Sequence, residues 1–167
     1  MKHNGRGLKR RLSLLGNRLS RAKYFRGYGV HSPFVYGLVR KVFMCKHLFK
    51  EEGNDLYDAL VKAGVATKRA VQIQNTMYHC DCKSFSLNEV GGEFTVFAPD
   101  YPTEQLRQRY EEAKAAGAVF VVVYPYLNKE RQSLIRELIG EHHSTTVDNR
   151  AYILFFNNHL PKQHYRL

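Results

Sequence analysis

Seven consecutive apolar residues, Ala118–Tyr124 (AVFVVVY), constrain this chain more than any other stretch. A strand that faces water on one side alternates apolar with polar residues. An unbroken run needs cover on both faces, as the central strands of a parallel sheet do. The flanking segments supply that cover. Before the run, "TEQLRQRYEEAKAAG" has helical spacing, with Thr103 as its cap, Leu106, Tyr110 and Ala113 on one face, and Gly117 as its stop. After it, "KERQSLIRELIG" predicts a second helix that ends at Gly140. Helix, buried strand and helix in succession indicate an α/β fold.

Other segments extend the pattern. "AVQIQ" (Ala70–Gln74) alternates at period two and predicts a short first strand. "EFTVFAP" (Glu93–Pro99) predicts a second, closed by Pro99, which has no N–H for a sheet ladder. "TTVD" and "AYILFFN" predict two closing strands joined by the turn "DNRA". The Ala118–Tyr124 strand is expected at the centre, between those at 93–99 and 151–157. Upstream, "HSPF" starts a helix that runs through Val42 or beyond. Ser32 can accept from exposed backbone N–H groups, and Pro33 suits the first helical position. A further helix is expected from Asp55 to Ala63, ending at Gly64.

Charge divides the chain more sharply than hydropathy does. Residues 1–50 carry 13 Lys or Arg and no acid, whereas residues 51–167 carry a net −2, which together give the chain's +11. We therefore expect a basic helical extension over residues 1–50, packed on an α/β domain over residues 51–167. Within the extension, Leu8, Leu12, Leu15, Leu19 and Ala22 fall on one stripe of a helix predicted over residues 8–25, with Arg10 and Arg21 opposite. The stretch Lys23–Phe43 mixes aromatic and basic residues without an acid. A phosphate-contacting arm for RNA or DNA, a membrane-surface helix and a lid over an anionic cofactor all fit that composition. No apolar run approaches the roughly 18 residues that a membrane-crossing helix needs. Three cysteines and no apolar leader with a cleavage site predict a reduced, cytoplasmic protein.

Few residues announce chemistry by themselves. "HCDC" (His79, Cys80, Asp81, Cys82) places metal-capable groups together but has no second ligand pair at a recognisable spacing, so no metal is expected. His142 and His143 close a helix, where imidazolium suits the negative end of the dipole. Asp148 and Asn149 form a turn pair. Ser–His–Asp order, a Walker-type loop and a nucleophile elbow are all missing.

"GYGVHSPFVY" near the start and "NNHLPKQHYRL" at the end resemble the opening "GHGVHSPF" segment and the closing "KQHF"-type tail of a group of bacterial class I S-adenosylmethionine-dependent methyltransferases. "FTVFAPDYPTEQLRQRYEEAK" is similar to that family's fourth strand and helix, and "AVFVVVYPYLNKERQSLIREL" to its fifth. The resemblance implies a Rossmann-like, methyltransferase-type sheet with its last strand antiparallel, here with fewer strands. It also implies S-adenosylmethionine as cofactor, with the "VHSPF" helix, including His31 and Ser32, as a lid over it.

The departures from the family fall on the cofactor motifs. Gln72 and Gln74 stand where the family has an acid and the glycine of its "LELGTSLG" loop. Only about 18 residues separate the two predicted strands, too few for the usual helix–strand–helix excursion and its ribose-binding acid. Tyr124 and Pro125 replace the "DD" that ends the family's fifth strand, while Asp100 keeps a carboxylate at the end of the fourth. A methyltransferase-like protein that does not bind S-adenosylmethionine tightly is therefore expected. Its candidate site residues are Gln74, Asn75, Asp100, His31 and Ser32. The alternative is a nucleic-acid-binding protein that uses residues 1–50.

Overall fold

The computed structural model describes residues 30–167; the helix expected over residues 8–25 lies outside them. At the centre is β3 (Val119–Val123), whose side chains point alternately into two separate apolar clusters. Val121 and Val123 enter one, Phe120 and Val122 the other. That double burial is why the strand has no polar position.

On its two sides β3 pairs parallel with β2 (Phe94–Phe97) and antiparallel with β5 (Tyr152–Phe155), the neighbours expected from sequence. The six-stranded sheet has the order β1-β2-β3-β5-β4-β6. Here β1 is Phe85–Leu87, β4 is Thr146–Asp148 and β6 is His164–Arg166. Because β5 lies antiparallel between β3 and β4, the antiparallel strand is the one ahead of the tail. The tail itself adds β6, parallel to β4.

Helix α1 runs Pro33–Gly37 and continues as π-helix over Leu38–Phe43. It begins as expected, with the Val35 N–H donating to Ser32 Oγ at 3.3 Å and Pro33 in the first turn. It crosses one face of the sheet along β5. Phe34 meets Phe156 at one end (5.0 Å between ring centres) and Phe43 meets Tyr152 at the other (6.0 Å). Helices α2 (Asp55–Lys62) and α3 (Thr67–His79) share that face and its core with Val35, Leu38 and Val42 of α1. The opposite face carries α4 (Leu106–Ala115) and α5 (Lys129–Glu141). Thr103 opens a 3-10 turn ahead of α4 rather than serving as its cap. No helix of the described residues is long and apolar enough to cross a membrane.

One expected element is overturned. Ala70–Gln74 is the middle of α3, not a strand. Its alternation comes from Gln72 and Gln74, which are buried beside Val71 and Ile73, not turned to solvent. Backbone groups at the ends of neighbouring helices meet them, although Gln74 Nε2 has no partner. Gln72 Nε2 donates to the Phe43 carbonyl (2.7 Å), and Gln74 Oε1 accepts from the Tyr57 N–H (2.9 Å). The first strand is instead Phe85–Leu87.

With that correction the link between the first two strands is residues 88–93, since β1 ends at Leu87 and β2 begins at Phe94. Parallel neighbours ordinarily need a crossover of about a dozen residues or more. This short link closes because Asn88 takes a left-handed backbone (φ 62°). Its N–H donates to the Val96 carbonyl (2.8 Å) and its Oδ1 accepts from the Ala98 N–H (2.8 Å). The return leg presses Gly92 onto β1. A Cβ there would sit 2.6 Å from the Phe85 carbonyl carbon, so only glycine fits.

Candidate functional site

Open α/β sheets bind ligands beyond the carboxyl ends of their parallel strands. Here that edge is formed by Asn88 after β1, Ala98 to Asp100 after β2, Tyr124 after β3 and Asn149 with Arg150 after β4. Three of these residues, Asn88, Tyr124 (φ 49°) and Arg150 (φ 64°), hold left-handed backbone without being glycine. Such strain persists only where surrounding contacts enforce it. Tyr124 is held by its N–H on the Ala151 carbonyl (2.7 Å), and Arg150 by its N–H on Asp148 Oδ1 (2.7 Å).

Beneath the edge lies Arg131, in the first turn of α5 and only 1% exposed. Asn128 caps that turn, accepting from the Arg131 N–H at 2.7 Å. The guanidinium donates to the carbonyls of Ala98 (3.1 Å), Pro99 (3.0 Å) and Tyr101 (3.1 Å). Its Nε has no partner. Burial pushes this arginine below its usual range and the charge of Asp100 pushes it back. Being an arginine it stays cationic. The loop after β2 is thus built around a buried positive charge.

The expected site residues do not converge. Asp100 is on the carboxyl edge, exposed, at the rim of the Arg131 loop. Gln74 and Asn75 are buried in α3, where Gln74 meets the first turn of α2 and Asn75 fastens loop backbone. Asn75 Oδ1 accepts from the Phe49 N–H (3.0 Å), and its Nδ2 donates to the His47 carbonyl (2.9 Å). Ser32 serves as the α1 cap and His31 is exposed beside it. Both precede Phe34, which packs on Phe156 and His79. That places the start of α1 at the amino edge of the parallel strands, opposite Asp100.

The amino edge carries a cleft of about 310 Å³, walled by Phe34, Val119 and Phe156, with Cys80, Cys82 and Asn157 on its polar side. Burial, and then the neighbouring Cys82, pushes the Cys80 thiol up to about 12. Burial, then Glu93 and Asp81, pushes Cys82 up to about 11. Both therefore stay protonated and unreactive near neutral pH. His79 is lowered by burial and by Lys41. Among the described residues no three His, Cys, Asp or Glu side chains gather as a metal site.

Arg131 and Asn88 are the residues that sequence reasoning missed. An arginine in a first helical turn looks like a solvated charge, and only the unsatisfied carbonyls of a distant loop draw it inward. A glycine pair does follow β1, at Gly91 and Gly92, but Gly92 packs against its own strand. No protein-family model, curated protein or solved structure matches this chain.

Proposed function

We propose that this chain is a shortened S-adenosylmethionine-dependent methyltransferase-like protein that does not hold the cofactor. It works instead as a binding module, with basic residues 1–50 contacting nucleic acid or another polyanion. The antiparallel strand between β3 and β4 and the resemblance of both chain ends support the first half of this reading. The observation that carries it is the six-residue link from β1 to β2. The family's cofactor cradle and its ribose-binding acid belong to the excursion that would stand there. One further feature agrees. Arg131 puts a buried cation at the strand end, unfavourable beside a sulfonium. The second half is supported by charge: +13 over residues 1–50 against −2 for the remainder.

Calorimetric titration of the full chain with S-adenosylmethionine and S-adenosylhomocysteine tests the first half. No saturable heat is expected, and micromolar binding of either would overturn it. Filter binding of duplex DNA at two salt concentrations tests the second. Logarithmic affinity should fall with logarithmic salt at a slope of about −0.9 per phosphate contacted. Absence of binding to duplex, single-stranded DNA and heparin alike at low salt would remove the module reading. The three strained residues on the carboxyl edge favour a second reading, a rebuilt site centred on Asp100. Methyl transfer abolished by Asp100→Asn would select it.

A further inference from the structure

The described part of the basic segment has a feature that charge alone does not require. Five large apolar side chains stand most exposed among the described residues, and three of them lie between residues 36 and 49: Tyr36 (47% exposed), Met44 (44%) and Phe49 (42%). Cations are interleaved with them: Arg40, Lys41, Lys46 and Lys50, all exposed, with no acid before Glu51. Tyr36, Arg40 and Met44 follow one another along the outer side of α1. Arg40 Nη1 is 3.8 Å from Met44 Sδ, which confirms their adjacency. Lys50 Nζ lies 4.3 Å from the centre of the Tyr78 ring, which adds a further aromatic at the far end.

This surface is held in place from below. Gln72 of α3 fixes the Phe43 carbonyl, and Asn75 fixes the backbone at His47 and Phe49. Phe49 is left 42% exposed although apolar core lies on the same side of the sheet. A ring fixed on a pinned backbone loses little freedom when something stacks on it.

We propose that residues 36–50 form a base-stacking platform for single-stranded nucleic acid, with Tyr36 and Phe49 stacking on bases and the four cations following the backbone. The proposal rests on the polyanion reading above and narrows it. Aromatic rings spaced among cations match how single strands are held, since every unpaired base has a face to stack and every linkage a charge. A duplex hides those faces. A membrane surface would want a continuous apolar stripe to insert, yet the apolar stripe of α1, Val35, Leu38, Val39 and Val42, is committed to the core.

The test uses the full chain with labelled oligo(dT), a duplex of equal length, heparin and phosphatidylserine vesicles. The parent should bind oligo(dT) more tightly than the duplex. Phe49→Leu should weaken oligo(dT) binding about tenfold, the loss of one stacked base, while heparin binding holds. Phe49→Tyr should retain the parent affinity. Unchanged melting of each variant checks that the fold is intact. If Phe49→Leu binds oligo(dT) as the parent does while heparin and oligo(dT) both bind, the platform is refuted and the polyanion reading stands. If neither binds, both fall. Vesicle binding lost in Phe49→Leu without loss of oligo(dT) binding would also refute the platform and assign the surface to lipid.

Discussion

Acid should destabilise this protein through one buried imidazole, and the size of the effect can be worked from the structure. His142, at the end of α5, is wholly buried. Its Nε2 is 3.0 Å from the Phe156 carbonyl and its Nδ1 is 2.8 Å from the Tyr110 hydroxyl. The carbonyl can only accept, so Nε2 carries the proton and Nδ1 accepts from Tyr110. A second proton on Nδ1 would reverse the Tyr110 bond, taking away the acceptor of the Tyr110 O–H, and bury a charge among the rings of Tyr110 and Phe155. Burial lowers His142 to about 4, opposed by the Phe156 carbonyl and reinforced by His143, Lys114 and Lys162.

The folded value lies below the ordinary 6.5, so the unfolded chain takes up the proton first. Stability from this group is complete above pH 6.5, falls as the pH drops toward 4, and is lost below that. The gap of two to three pH units corresponds to about 3 kcal/mol, or roughly 10 °C in Tm for a chain of this size. Thermal melts between pH 7.5 and 4.5 should show this loss in the parent. His142→Gln should show much less, because its amide can meet both partners without titrating. An NMR titration of the His142 ring gives a direct check that needs no variant. A midpoint near 6.5, or equal acid losses in parent and His142→Gln, would refute the assignment.

Two further perturbations address the segments that lead into and out of β2. Gly92→Ala should destabilise by about 1–3 kcal/mol because its Cβ meets the Phe85 backbone, whereas Gly91→Ala, with open space around it, should be near neutral; urea unfolding separates the two. Arg131→Met should remove about 3 kcal/mol by orphaning the carbonyls of Ala98, Pro99 and Tyr101, while Asp100→Asn, on the exposed rim, should stay within about 0.5 kcal/mol in the same assay.

The sequence by itself determined the parts of the molecule whose signal is local. β3 and its two helices were legible because an apolar run needs cover on both faces and the helices flanking it carry their own periodicity and breakers. Its neighbours at 94–97 and 152–155, and the Ser32–Pro33 start of α1, were legible for the same reason. The tertiary structure alone decided whether Ala70–Gln74 was strand or helix, because its glutamines alternate like a half-exposed strand and yet are buried by bonds to the ends of other helices, 29 residues earlier in the case of Gln72. It also decided β1 and β6, three residues each, which carry too few side chains to show a period and exist by pairing with β2 and β4. Predicted strand ends and the family resemblance grouped Gln74, Asn75, Asp100, His31 and Ser32 into one candidate site, whereas the fold sends them to a helix interior, one edge of the sheet and the opposite edge. What a side chain touches depends on how distant segments meet, and neither Arg131 under its loop nor Phe49 on its pinned backbone could be placed before they met.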